Sequence, residues 1–435
     1  MTQAGTAFAG VAIPDARRGA DATTVLTAYL VLLWFVPSSM VVPALGSAGS
    51  PAGLVGAGCF FWWAWSHIQR AAATDVGSQP VRVAMLGWLL IMCVVYAHAM
   101  SSPIPGDEIS VADNGILRLL GLAGALLLAN DGISTNARLH LILRRLALAA
   151  GVVAVLGLVQ YVTRQLWVDR LTIPGLTAST FTGEIGGRAG FVRPSGTSTS
   201  PIEYGVVLAL TLPVVIALAA SQHRQRMLFQ VLLVPMIASI YFSVSRSAYL
   251  CAFVGVTVLA LSWNRRQRVL AFLVLLVATA AMYLSVPGLL GTILGLFSGA
   301  GEDPSVASRT GSYDIAGAFI GNSPMLGRGF GTFLPKYWIL DNGYLGLLIE
   351  GGIIGFTGLL ALIIAGLVAA RRAREWSSDP DDQQMARAVM ASIVAAAAGM
   401  AFFDTFAFPQ SAGGMFLMLG LAGAMRRLKR PVAAN

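Results

Sequence analysis

EYGVVLALTLPVVIALAA (203–220), SQHRQR (221–226) and MLFQVLLVPMIASIYFSV (227–244) follow one another without interruption. The outer two are apolar runs of the length a helix needs to cross a bilayer, about 17 to 25 residues. The link between them holds nothing but polar and basic residues, and it is too short for anything except an antiparallel neighbour. Inside a hydrocarbon layer an α-helix satisfies its own backbone, so apolar runs joined by tight polar links read as a helical membrane bundle.

The pattern extends in both directions. Comparable runs fall at 25–43, 50–66, 83–100, 115–130, 146–163, 247–263, 269–286, 343–370, 388–406 and 411–425. Together with the first two they predict an all-α, polytopic integral membrane protein of about twelve transmembrane helices, forming a single membrane domain over 1–435. A hydrophobic share of 56%, a charged share of 11% and a mean hydropathy of +0.73 exclude an ordinary soluble domain.

A net charge of +9 would suggest nucleic acid in a soluble protein. Here most of it sits in every second gap: Arg17 and Arg18; Arg70 and Arg82; Arg138, Arg144 and Arg145; Arg224 and Arg226; Arg265, Arg266 and Arg268; Arg371, Arg372, Arg374 and Arg387; Arg426, Arg427, Lys429 and Arg430. Basic gaps mark the cytoplasmic face, so both termini are expected inside an inner (plasma) membrane, with membrane lipids and no nucleic acid as partners. Residues 1–22 lack the apolar core and cleavage site of a signal peptide, so the first run is expected to serve as an uncleaved insertion signal. Cys59, Cys93 and Cys251 lie within apolar runs and no Cys or His pair has ligand spacing, which predicts neither a disulfide nor a metal site. Of the four histidines, only His98 falls on the outer side, at the end of a run.

Arg118, Arg164, Arg170, Arg188, Arg193, Arg246, Arg309, Arg328 and Lys336 fall on that outer side, where topology does not account for them. They call for a ligand, a partner or a lipid phosphate. Two long outer loops, 164–202 and 287–341, carry most of them. The first contains TASTFTGEIGGRAGFVRPSGTSTSPIEYG (177–205), which reads either as a nest of backbone donors around an anion or as a flexible polar connector. The second contains a predicted short helix over 308–319 that sets Arg309 and Tyr313 on one face.

Arg118 and Arg246 enter or border the hydrocarbon, where an unpaired charge costs a few kcal/mol or more. Arg246, in SVSRSAYL (243–250), reads as a phosphate clamp or as a side chain snorkelling to headgroups. Asp107 with Glu108, and Glu302 with Asp303, are expected to be solvated pairs, the alternative being a divalent cation. Asp341 opens WILDNGYLGLLIEGGIIG (338–355) as either a helix N-cap or a base at the membrane surface. Glu350 lies about 13 Å deeper along that helix at 1.5 Å per residue. It is read as a structural partner of Arg246 or Arg309, the alternative being a proton or substrate site, and Asp404 invites the same reading.

RPSGTSTSPIEYG (193–205), SRSAYL (245–250), SRTGSYDIAGAFIGNSPMLGRGFGTF (308–333) and DNGYLGLLIEGGIIG (341–355), in this order, resemble the O-antigen ligase and Wzy-type O-antigen polymerase superfamily over roughly 185–360. The resemblance implies a metal-independent, inverting glycosyltransferase of the GT-C type with no cofactor. Its partners would be a polyprenyl-diphosphate-linked glycan donor on the outer leaflet and a glycan or lipid acceptor. It implies that Arg193, Arg246 and Arg309 hold the diphosphate, and Arg328 of the same loop is added to them. Arg246, Arg309 and Asp341 become the expected catalytic set, with Asn342, Tyr344, Glu350 and Tyr313 in support. Ligases of the family carry a His where this chain has Asp341, a departure that favours polymerisation and leaves Asp341 as the base by position. A secondary transporter of a small solute or lipid-linked sugar is the rival class, although no internal repeat supports it. A noncatalytic scaffold is the third.

Overall fold

Prolines and polar caps start the helices where the apolar runs begin. In the computed structural model, which describes residues 21–69, 79–179, 187–188, 190–222, 224–298 and 304–431 without the side chains of 188, 297 and 304–310, the helices are α1 (Ala22–Phe35), α2 (Pro51–Ile68), α3 (Pro80–Ser101), α4 (Gly106–Gly132), α5 (Asn136–Thr163), α6 (Pro201–Ala220), α7 (Arg226–Phe242), α8 (Arg246–Ala260), α9 (Arg265–Ser285), α10 (Leu289–Ser298), α11 (Pro304–Asn322), α12 (Gly343–Trp376), α13 (Pro380–Gly399) and α14 (Pro409–Lys429). Side-chain oxygens of Ser50, Thr135, Ser200, Ser245, Asn342 and Asp379 each accept a first-turn N–H, and Asn264 with Gln267 forms a full capping box on α9.

Each predicted apolar run falls on a helix, but two extend well past its end, 25–43 and also 388–406, whose helix stops at Gly399. The first run, 25–43, stops being helical at Phe35, because Pro37 cannot continue the ladder and holds Val36 extended. The chain then pairs β1 (Met40–Val41) with β2 (Thr177–Ala178), tying the 164–202 loop to the end of α1. Of the expected count of about twelve spans, six helices among the described residues, α3, α4, α5, α6, α9 and α12, are long and apolar enough to cross a membrane, or seven if α2 is joined to the 3-10 turn Pro43–Gly49, against which it bends by 75°. α1, α7 and α8 are apolar but shorter. α13 and α14 lie at the centre of the bundle and are built from Ala and Gly, which lowers their hydropathy and allows close packing.

α14 is buried at every residue from Gln410 to Met425, and α4, α6, α12 and α13 pack around it. In lipid there is little hydrophobic drive between helices, so close backbone approach has to hold them together. α2 and α4 meet on glycine: a Cβ on Gly124 would stand 1.9 Å from the Gly56 carbonyl oxygen. α9 is the opposite case. None of its residues is buried and it touches only α7 and α10 appreciably, so it lies against the bundle as a loosely attached apolar rod.

At the end carrying the basic gaps, two carboxylates latch helices together. Asp131 accepts from the Trp63 indole at 2.8 Å and lies 3.4 Å from Arg82 and 3.6 Å from His67. Asp382 binds His140 at 2.6 Å, Asn136 at 3.0 Å and Lys429.

At the other end, the segment 323–333 runs as a strap across a break in α12. Gly352 has φ +63°, so Ile353 and Ile354 cannot donate to Ile349 and Glu350 as they would in a continuous helix. Instead Ile353 N donates to Pro324 O (2.9 Å) and Ile354 N to Met325 O (3.1 Å), while Ile349 O accepts from Arg328 N (3.1 Å) and Glu350 O from Gly329 N (2.9 Å). Two missing helical bonds become four bonds to the strap. The approach is so close that a Cβ on Gly352 would stand 2.3 Å from Met325 O.

Gly352→Ala is expected to destabilise the fold by about 2 kcal/mol or more, combining left-handed strain with this collision, and to expose the strap to limited proteolysis. Gly124→Val is expected to cost about 1–3 kcal/mol by forcing α2 from α4, read as a lower unfolding midpoint in detergent with the strap still protected.

Candidate functional site

The turn between α7 and α8 gathers two of the arginines expected from the sequence. α7 ends at Phe242, Val244 takes a left-handed φ of +43° although it is β-branched, and Ser245 caps α8. Such strain in a fully buried residue persists only where the surroundings fix it. Here Phe242, Leu289 and Leu296 pack around Val244. The Arg193 guanidinium donates from Nε to the Ser243 carbonyl at 2.7 Å. Arg246, the first residue of α8, is only 9% exposed and donates from Nη1 to Leu296 O of α10 at 3.1 Å. Both cations therefore stand at the positive end of the α8 dipole, a place that favours an anion.

Beside this turn lies an apolar groove of about 580 Å³ between α5, α7 and α9. Leu158, Val234, Val277 and Met282 line it, and it reaches Tyr241 and Phe242, the two residues before Ser243. The thin contact between α7 and α9 leaves it open sideways, although Tyr241 Oη and Thr279 Oγ1 bridge the two helices at 2.7 Å.

A second cluster surrounds the start of α12. Asn342, not Asp341, is the helix cap: its Oδ1 accepts from Tyr344 N and Leu345 N, both at 3.1 Å. Asp341 is thus released from one of its two expected roles, and it is partly exposed. Gly343 N donates to Met400 O (2.7 Å) and Phe403 O (3.1 Å), and Tyr344 Oη to Ala397 O (2.7 Å), so this helix start is fixed to the end of α13. Glu350 accepts from Phe333 N at 3.3 Å and is electrostatically coupled to Arg118, which donates to Phe406 O and lies over the Phe330 ring at 5.8 Å. Arg118 is also coupled to Asp404.

The other expected residues lie elsewhere. Arg328 pairs with Glu108 and stacks on Phe319 and Tyr337, at 4.9 and 5.1 Å to the ring centroids, which ties the strap to the start of α4. Its side-chain contacts run to α4, α11 and Tyr337 rather than to Arg193 or Arg246. Tyr313 is exposed on α11, a helix that runs from 304 to 322 rather than the shorter 308–319. Arg309 is on α11 too, but its side chain, like Glu302 and Asp303, lies outside the described residues. His98 is 3.4 Å from Ser323 of the strap.

Two expectations are corrected. Glu108 is not a solvated partner of Asp107: it is fully buried and accepts from Arg328 and Tyr337, while Asp107 meets Lys336 at the surface at 2.5 Å. Three hydroxyls of 195–199 bind the protein itself, Thr197 at Trp34 O and Ser198 at Gln410, both at 2.6 Å, and Thr199 at Ser38, at 2.7 Å. Glu203 was present in the sequence only as one of several acids. It is fully buried and accepts from Ser38 Oγ (2.9 Å), Thr199 N (3.0 Å) and Gln410 N (2.8 Å), so it caps α14 from another helix. Ser200 followed three residues later by Glu203 is a capping-box spacing, a signal that pointed to it.

No curated protein matches the chain. Residues 231–360 match a family model described as O-antigen ligase, a segment that runs from α7 to the break in α12 and includes Arg246, the strap and Asp341, while Arg193, Arg118 and Asp404 fall outside it. Over this segment the chain is similar to O-antigen ligases, which supports its resemblance to the O-antigen ligase and Wzy-type polymerase superfamily.

Proposed function

We propose that the protein transfers or polymerises glycan from a polyprenyl-diphosphate-linked donor at the outer leaflet of the inner membrane, with both termini cytoplasmic, as a metal-independent inverting glycosyltransferase. The observation that carries this reading is the meeting of Arg193 and Arg246 at one turn, at the end of an apolar groove between α5, α7 and α9. That juxtaposition matches the donor's own chemistry, an anionic diphosphate joined to a long isoprenoid chain.

In the proposed reaction an acceptor hydroxyl oxygen attacks the anomeric carbon from the face opposite the diphosphate. The bond from that carbon to the phosphate oxygen breaks, and its electron pair leaves with the diphosphate. Charge grows on the departing oxygen, so cations already fixed beside it stabilise the transition state more than the ground state. Arg193 and Arg246 take this part, and α8 adds its dipole; Arg309, reached by α11, is assigned to the same task. Arg328 contributes by holding the strap. Asp341, with Asn342 acting as the cap, takes the hydroxyl proton as the new bond forms. Tyr344 and Glu350 keep the start of α12 and the strap in place, and Tyr313 stands on the exposed side of α11. The donor is already activated, so no ATP is required.

The transporter reading has less support. Glu350 is engaged by backbone N–H of the strap and by Arg118, and the opposite end of the bundle is latched by Asp131 and Asp382.

Purified protein given a synthetic polyprenyl-diphosphate oligosaccharide without ATP is expected to release glycan from the lipid. Ladders of repeat units indicate a polymerase, and a single move to another acceptor indicates a ligase; an intact donor after prolonged incubation with either acceptor overturns the reading. Arg193→Ala and Arg246→Ala are each expected to lower kcat about 100-fold or more, checked by initial rates at saturating donor. Ala278→Trp, which fills the groove, is expected to raise KM for a long-chain donor and to leave a short-chain donor unaffected.

A further inference from the structure

Near its end α5 carries a lone amide in the apolar stretch LGLVQYV (156–162). Gln160 is fully buried, and its amide meets both main-chain groups of one residue: Nε2 donates to Gly196 O and Oε1 accepts from Gly196 N, each at 2.8 Å. A glutamine suits this task because it presents a donor and an acceptor side by side. Gly196 holds a φ of +58°, and a Cβ there would stand 2.8 Å from the Tyr204 ring, so the turn has one seat. Arg193 lies three residues before it. Pro194, between the two, locks its own φ and keeps Arg193 extended, which makes the link short and stiff. The same helix holds the other half of the site. Ala154 O accepts from Ser239 Oγ of α7 at 2.9 Å, and the Tyr161 ring stacks on Phe242 with centroids 3.8 Å apart. Phe242 ends α7, and Ser243, the next residue, accepts from Arg193 Nε. α5 thus grips the α7–α8 turn through Ala154 and Tyr161, and the segment bearing Arg193 through Gln160.

We infer that Gln160 is a positioning residue for the diphosphate site: by seating Gly196 it fixes where the Arg193 guanidinium stands relative to Arg246. This rests on Arg193 being one of the cations that stabilise the departing diphosphate. Inside an apolar bundle the N–H and C=O of Gly196 have no water to turn to, so the segment is held where the amide is. A guanidinium aimed at a developing charge loses much of its effect when displaced by about 1 Å. The isoprenoid chain of the donor, seated in the groove beside α7, is not held by this lock, so loss of the amide acts on kcat rather than on donor KM.

The test is a double-mutant cycle on initial rates of glycan transfer from a synthetic polyprenyl-diphosphate oligosaccharide by the full-length protein. Gln160→Met keeps the length of the side chain without its hydrogen bonds and is expected to lower kcat about tenfold or more when Arg193 is present, with donor KM unchanged. In Arg193→Ala, followed over longer incubations, the same substitution should change kcat by less than about twofold. A general loosening of the bundle lowers the rate whatever stands at 193, so an equal fall in both backgrounds, or a wild-type kcat in Gln160→Met, overturns the inference. Gln160→Glu supplies the rescue. Its carboxyl, when protonated, accepts from Gly196 N and donates to Gly196 O; when ionised it has no proton to donate. The kcat of Gln160→Glu should therefore approach that of the wild type at low pH and fall below it as pH rises, and this fall should vanish in the Arg193→Ala background. A fall that persists there overturns the inference even where Gln160→Met does not fold. The underlying reading fails separately: Arg193→Ala with wild-type turnover removes Arg193 from the reaction, whereas an impaired Arg193→Ala with additive losses at 160 overturns only the role of Gln160.

Discussion

A helix opened within an apolar bundle leaves backbone N–H and C=O groups that water cannot reach, and each must find a partner in the protein. At Gly352 the strap 323–333 supplies all four, exchanging donors and acceptors with 349, 350, 353 and 354 of α12. This exchange explains why two glycine-rich stretches so far apart in sequence are needed together. Gly327 and Gly352 both take positive φ, and a Cβ on either would run into the other's backbone neighbours at under 2.5 Å. With the strap seated, Arg328 reaches Glu108, Phe333 reaches Glu350 and the chain is delivered to Asp341 at the start of α12.

The charges at this end fall into two kinds, separated by what surrounds them. Arg328 and Arg118 are committed to the scaffold, one to Glu108 and two rings, the other to a carbonyl, a ring and two coupled carboxylates. Arg193 and Arg246 each donate to a main-chain carbonyl that orients the side chain. Glu203 is committed as well, its oxygens taken up by N–H and O–H donors at the head of α14.

α9 completes the arrangement by its lack of burial. A helix that buries none of its residues and touches the bundle lightly leaves a gap beside α7 with the α7–α8 turn at its end. In the proposed reaction the acceptor and donor sides would be formed by different parts of the chain, the start of α12 with Asp341 on one hand and the α7–α8 turn with the groove on the other.

Periodicity and composition alone determined that the chain is a helical membrane protein, where its helices lie and which end carries the basic gaps, because bilayer thickness imposes a length that any apolar run displays. The ordered motifs were also legible, and they drew attention to Arg193 and Arg246, the latter because a charge in a two-span turn has few explanations. The tertiary structure decided which charges are spent. Glu108 looked like half of a solvated acid pair and is the buried partner of Arg328; Asn342 rather than Asp341 caps α12; and the Glu350 carboxylate accepts from Phe333 N of the strap. Such pairings arise from helix packing and backbone docking between distant segments, and a local pattern of residue types carries no record of which segment will lie opposite.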